Sequence, residues 1–163
     1  MNSKFMKFDR LNQSITLLAN VGVLAGIIFL GLEIQQNSEI TRAQTRDAMT
    51  EKIMSFYSLI ISDKEAAEIY EIGSSSFDEL VVDSVEYTRY RWIVLSHTRM
   101  WENEWYQYQK GLFEPVEFES RLLLWEGVLR SRGYRSIWEG VKLTYAPEFR
   151  QTIDELIARS EPR

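Results

Sequence analysis

The sequence predicts an all-α protein with one N-terminal transmembrane helix that continues into a long polar helix, followed by a small aromatic-rich helical bundle. Residues 15–34 form an apolar run whose only charged residue, Glu33, lies next to its end. A run of about 18 or more apolar residues is typical of a membrane-spanning helix. Beyond this run, apolar residues recur every three or four positions, and no stretch alternates with period two. We therefore predict helices throughout and no sheet.

We divide the chain into four parts: a short tail (1–14), the span (15–34), a polar helical extension whose far end docks on the body (35–61), and a helical bundle body (62–163). The core helix of a soluble bundle is also apolar all round, so it is an alternative for the span. A cleaved signal peptide is disfavoured because the run is long and no small-residue cleavage site follows. An uncleaved membrane anchor is the interpretation we favour.

Small residues inside the span predict that it associates with other helices. Gly22 and Gly26 are four residues apart, which makes a shallow groove where a second helix approaches closely. Asn20 is a strong polar side chain in the same run, and it can hydrogen-bond across an oligomer interface. The alternative is that glycine is simply commoner in membrane helices than in soluble ones.

Orientation follows from the basic residues on either side of the span. The tail carries Lys4, Lys7 and Arg10, whereas Arg42 and the later basic residues lie further from the membrane among acidic ones. Because Lys and Arg near a span favour the cytoplasmic side, we expect the N-terminus inside and the body outside.

The polar extension continues the first helix. No Gly or Pro occurs between Glu33 and Lys64, so one helix is expected from near Leu11 to about Ile61. A helix that is polar nearly all round is solvated, bridges to a partner or bundles with copies of itself. A ring of copies would form a pore if polar residues surrounded a water-filled axis. The residues that would line this pore or stalk are Asn20, Gln35, Gln36, Asn37 and Ser38.

The start of the body is predicted from capping residues. Ser62 is expected to cap a helix over 63–72, and the Gly-Ser-Ser-Ser segment 73–76 is interpreted as a flexible turn. Asp83 is expected to cap the next helix, 84–110, with Glu86 completing a capping box.

Later boundaries come from glycine and proline. Gly111 is expected to end the long helix, and Pro115 to begin the following one. The pair Arg132-Gly133 is interpreted as a break, and Pro147 is expected to open the last helix.

Aromatic residues on these helices predict a ring-based core. The alternative is an apolar pocket for a lipid tail, or a belt of rings at the membrane surface. The residues assigned to this core or pocket are His97, Trp101, Trp105, Tyr108, Trp125 and Trp138.

The composition disfavours most catalytic chemistry. The chain has no cysteine, and His97 is its only histidine, so thiolate and multi-histidine metal sites are excluded. Glu102 and Glu104 are two positions apart and therefore point to different faces of a helix. A net charge of −5 argues against nucleic acid as a partner. We predict no catalytic, cofactor or metal site, and a protein that is not an enzyme.

Three segments carry a resemblance to known proteins: GLEIQQNSEITRAQT after the span, WENEWYQYQKGLF, and the closing YAPEFRQTIDELIA. With these segments the chain resembles a group of small bacterial membrane-anchored proteins that have no established activity. The resemblance implies an all-helical body behind one span of a bacterial inner membrane, and it transfers no functional residue.

Three functions follow as hypotheses. The first is a self-associating scaffold that forms a homo-oligomer through its membrane helix and polar extension. The second is a pore formed by a ring of the N-terminal helices. The third is an accessory subunit or sensor that binds another membrane protein or a lipid.

Overall fold

The structure is a computed structural model that describes the backbone of residues 2–160 and the side chains of residues 12–160. Within that range it contains six α-helices, two short 3₁₀ turns and no strand, which confirms the all-α prediction. The helices are α1 (Asn2–Ser62), α2 (Lys64–Ser75), α3 (Val85–Gln109), α4 (Pro115–Val128), α5 (Arg132–Val141) and α6 (Pro147–Arg159). The 3₁₀ turns are Phe77–Glu79 and Lys142–Thr144.

The first compact unit, residues 1–43, consists of the amino-terminal part of α1. This helix begins at Asn2, earlier than the start near Leu11 predicted from the sequence. All side chains from Asn12 to Arg42 are exposed. Among the described residues, α1 is a helix long and apolar enough to cross a membrane.

The second compact unit, residues 44–163, is a helical bundle whose core is built from rings. Trp101 of α3 stacks on Trp125 of α4, with 5.3 Å between ring centroids. Phe149 of α6 meets Trp125 edge-on at 6.3 Å and Trp138 of α5 at 6.0 Å. Offset and edge-on arrangements of this kind are the favoured geometries of buried aromatic pairs. The four helices α3–α6 are thus joined through one aromatic cluster.

Several predicted boundaries are confirmed by their local chemistry. Gly111 has φ of 68°, and its N–H donates to the Tyr108 carbonyl while the Leu112 N–H donates to Gln107. This pair of bonds is the Schellman arrangement, which needs a left-handed residue after the helix. Pro115 and Pro147 begin α4 and α6, where a missing N–H costs no helical hydrogen bond.

Two predicted caps are wrong by one residue. Asp63, not Ser62, caps α2, because its carboxylate accepts from the N–H groups of Glu65 and Ala66 at 2.9 and 3.3 Å. Ser84, not Asp83, caps α3 through the Tyr87 N–H at 3.0 Å. Asp83 instead takes a left-handed conformation with φ of 68°.

Two predicted breaks are also wrong, because both glycines lie inside helices. Helix α2 continues through Gly73 to Ser75, and α5 begins at Arg132 after its cap Ser131. A Cβ on Gly73 would lie 2.2 Å from the Tyr90 ring. Gly73 and Gly133 are therefore needed for close packing rather than for a turn.

Candidate functional site

The apolar part of α1 exposes large hydrophobic side chains around its whole circumference. None of the most apolar 18-residue stretch of this helix is buried within the protein. A soluble protein rarely presents a contiguous apolar surface of this size without a partner for it. The side chains concerned are Ile15, Leu17, Leu18, Val21, Val23, Leu24, Ile27, Ile28, Phe29, Leu30, Leu32 and Ile34.

Gly22 and Gly26 share one face of this helix. At about 100° per residue, the two glycines are separated by only about 40° around the helix axis. A Cβ added to either glycine would meet no atom within 4 Å, so the backbone there is open to an approaching helix. We call this surface the glycine face. Gly31 is also open, but it lies on the opposite side of the helix, about 180° from Gly22.

Asn20 does not join the glycine face. It lies about 160° from Gly22 around the axis, on the side that carries Gly31. One flat contact between two helices therefore uses either the glycines or Asn20, and not both. Gly22, Gly26 and Asn20 were assigned to one association surface because they are close along the chain.

Of the residues predicted to line a pore or stalk, the four consecutive ones, 35–38, point in all directions, because consecutive residues of a helix are about 100° apart. Asn37 is the member that returns to the glycine face, about 20° from Gly26. The Gln35 amide donates to Glu39 at 3.3 Å, and the Ser38 hydroxyl donates to the Ile34 carbonyl at 2.9 Å. Gln36 is exposed like its neighbours. No single axis can be lined by all four residues of one copy.

The basic residues that set the predicted orientation are only partly described. The side chains of Lys4, Lys7 and Arg10 lie outside the described residues. On the other side of the span, Arg46 pairs with Glu117 of α4 at 3.0 Å.

The aromatic residues predicted as core or pocket pack against one another as a core. His97, Trp101, Trp125 and Trp138 are buried. Trp105 and Tyr108 are half-buried at its edge, where Tyr108 stacks on Phe118 with 4.1 Å between centroids. These side chains fill the centre of the bundle.

His97 is held by rings on several sides. Its ring stacks on Phe56 of α1 at 4.5 Å and lies 4.7 Å from Trp101. Nδ1 is 2.7 Å from the Tyr134 hydroxyl, a buried hydrogen bond. Burial lowers the pKa of His97 to about 4, so the imidazole is neutral at pH 7. A neutral ring with this enclosure is suited to packing rather than to proton transfer with a substrate.

Glu104 is a buried carboxyl that sequence reasoning missed. Its side chain is 4% exposed, and one of its oxygens lies 4.0 Å from the Arg121 guanidinium of α4. Burial raises the pKa of Glu104 to about 7, although Arg121 and the nearby Trp125 indole N–H act in the opposite direction. The gap beside it, toward Met49 and Ile53 of α1, measures only about 10 Å³. The space is too small for a substrate.

The burial of Glu104 was not predicted, because Glu104 and Glu102 are the same residue type in the same helix. A signal was available: it lies three residues after the core residue Trp101, on nearly the same face of α3. Among the described residues, no cluster of three or more His, Asp or Glu side chains has the spacing of a metal site.

No protein-family model matches the sequence, no curated protein matches it, and no solved structure matches it. The resemblance to bacterial membrane-anchored proteins therefore stays a prediction.

Proposed function

We propose that this chain is a single-pass membrane protein that acts by association, as a scaffold assembled through the apolar part of α1 and its polar extension. The observation that carries the proposal is the exposure of the whole apolar stretch around α1. Burying a side chain such as Leu17 or Ile28 yields roughly 1.5–3 kcal/mol each. A bilayer covers all sides of a helix at once, whereas one protein partner covers a single face.

The glycine face is the proposed contact between copies. Gly22 and Gly26 have no side chain, so the backbones of two helices can approach closely there. The van der Waals contacts between the two helices then favour association. Asn37 continues this face into the polar extension, where its amide can donate and accept across an interface. Residues 35–44 are exposed, as expected of a helix that bundles with copies of itself.

We test membrane insertion and self-association separately. Membranes from cells that express the full chain are washed with alkaline carbonate, and we expect the chain to stay in the pellet. Release into the supernatant would contradict insertion. The oligomeric state is then measured in mild detergent, by light scattering and by direct imaging. A monomer at every protein concentration would contradict self-association.

Gly26→Ile and Gly31→Ile form a matched pair for the contact surface. Both substitutions add the same apolar side chain to an open position, so both leave membrane insertion intact. We expect Gly26→Ile to weaken association by about tenfold or more, because it removes the close approach. Gly31→Ile, on the opposite side of α1, should associate like the parent chain. Equal behaviour of the two variants would exclude the glycine face.

The proposed orientation places the N-terminus in the cytoplasm of a bacterial cell and the body outside the inner membrane. It rests on Lys4, Lys7 and Arg10 in the tail, of which Arg10 is five residues from the span, whereas Arg42, the first basic residue after the span, is eight residues from it. Because the chain has no cysteine, single substitutions report cleanly on topology. An impermeant maleimide should label Ser96→Cys in intact cells and label Ser3→Cys only after lysis. The reverse pattern would invert the orientation.

The pore and the accessory subunit make different predictions for the same preparation. A pore would conduct ions across a bilayer that contains the purified oligomer. An accessory subunit would purify as a single copy together with a foreign chain. A homo-oligomer that gives no current above background supports the scaffold.

A further inference from the structure

A surface groove of about 870 Å³ lies on the body, and Tyr134, the hydrogen-bond partner of His97, is part of its lining. Its walls come from the carboxyl end of α2 with the following 3₁₀ turn, and from α4 with the start of α5. Sites for small organic molecules typically measure about 300–1,000 Å³, so the groove is large enough for one.

One wall of the groove is apolar and uncovered. Leu123 and Leu124 of α4 are 72% and 44% exposed, although Trp125 beside them is fully buried. Gly127 follows on the same wall, and a Cβ added to it would meet no atom within 4 Å. An apolar ligand body would remove this surface from water, at about 25 cal/mol per Å² of apolar area.

The opposite wall is acidic. Glu71, Asp78 and Glu79 line it, against a single basic residue, Arg132. Arg132 is already paired with Asp78. The pair leaves two carboxylates without a cationic side chain from the groove lining, so the groove attracts a cation and repels an anion. The Ser75 hydroxyl donates to Glu71 at 2.9 Å, which fixes the direction of that carboxylate.

We propose that this groove binds an organic cation with an apolar body, such as an amphiphilic amine, the ammonium group facing the acidic wall and the alkyl part lying on Leu123 and Leu124. The positive charge and the alkyl chain each match one wall. A fatty acid has the same tail but the wrong charge. The inference does not depend on self-association, because every residue of the groove belongs to the body.

The test uses the full chain in lipid nanodiscs with ¹³C-labelled leucine methyl groups, so that Leu123 and Leu124 report locally. The probes are octylammonium and octanoate, which share a tail and differ in the sign of the head group. We expect saturable shifts of these two leucines with octylammonium, and binding of octanoate weaker by about tenfold or more. Equal affinity for the two probes would overturn the assignment of charge.

Gly127→Leu adds an apolar side chain to the lining of the groove, at a position where an added Cβ meets no atom within 4 Å. Gly140→Leu adds the same side chain at an equally open helical position outside the groove. We expect Gly127→Leu to weaken octylammonium binding by about tenfold or more, while Gly140→Leu leaves it unchanged. If both variants bind like the parent, the probe is only partitioning into the bilayer and the proposal fails.

Glu79→Gln tests the acidic wall at nearly constant shape. We expect it to weaken octylammonium binding by about threefold and to reduce its salt dependence, as for an exposed ion pair. Glu119→Gln on α4 lies outside the groove lining and is the control. If Glu79→Gln changes neither the affinity for octylammonium nor its salt dependence, Glu79 does not contribute to the site.

Discussion

A Cβ placed on Gly133 would lie 2.0 Å from the carbonyl oxygen of Gly73, a distance that real Cβ atoms do not reach. Helices α2 and α5 thus meet backbone to backbone at these two glycines. The Tyr90 ring lies against the same place, 2.2 Å from where a Cβ of Gly73 would be. A methyl group at either position has no free space.

We therefore expect Gly133→Ala to destabilise the body by about 1–3 kcal/mol, the usual cost of overpacking a tight contact. Gly127→Ala is the control, because its added methyl group meets no atom and Ala favours the helix by about 1 kcal/mol. Urea unfolding in detergent, followed by tryptophan fluorescence, measures both. A Gly133→Ala variant as stable as the parent would show that the two helices separate easily.

Tyr134→Phe should cost about 1–3 kcal/mol, because it leaves Nδ1 of His97 buried without its partner. Tyr106→Phe removes a hydroxyl from a ring that is 50% exposed and should change the free energy of unfolding little. Equal stabilities of the two variants would mean that the His97–Tyr134 bond adds nothing to the fold.

The pH dependence of stability has two opposing sources. His97, with its pKa lowered from 6.5 to about 4, binds its proton more weakly in the fold than in the unfolded chain. The contribution of His97 to the free energy of unfolding therefore increases as pH rises from about 4 to 6.5. Glu104, with its pKa raised from 4.5 to about 7, stays protonated longer in the fold. Its contribution decreases as pH rises from 4.5 to about 7.

Glu104→Gln should separate these two effects, because glutamine keeps the shape of the neutral acid and does not titrate. We expect the stability of Glu104→Gln relative to the parent to grow by up to about 3 kcal/mol between pH 4.5 and 7. The exposed Glu119→Gln gives the baseline. Parallel curves for Glu104→Gln and the parent would show that Glu104 titrates normally.

Phe56→Ala should destabilise the body by about 3–5 kcal/mol, because Phe56 is 7% exposed and its ring stacks on His97. Met54→Ala, two residues earlier on the exposed side of α1, should change stability by less than about 0.5 kcal/mol. Thermal unfolding of the two variants compares them directly. A small effect for Phe56→Ala would mean that α1 contributes little to this core.

Helix ends that depend on the chemistry of a single residue could be predicted from the sequence. Gly111 and Pro115 mark helix ends because of backbone properties that no neighbour alters. Gly73 and Gly133 were misread, because glycine serves both turns and close helix contacts. Only the position of α5 against α2 distinguishes the two uses, and that position depends on residues 60 apart in the chain.

The candidate sites divide in the same way. The apolar stretch of α1 and the ring core follow from composition and period, so the sequence predicted both. The groove does not, because its acidic wall comes from α2 and the following turn, and its apolar wall comes from α4. Glu104 was missed although its spacing from Trp101 places it near the buried face of α3, because a carboxylate is expected to be exposed unless the packing around it is known.

The stacking of Phe56 on His97 also sets an order of events during synthesis. Phe56 leaves the ribosome before His97 and long before Tyr134, the residue that holds the imidazole in place. Its ring therefore lacks its stacking partner until α3 has been made, and the imidazole lacks its hydrogen-bond partner until α5 has been made. A chain stalled after α2 would present the same apolar ring to chaperones instead of to its own core.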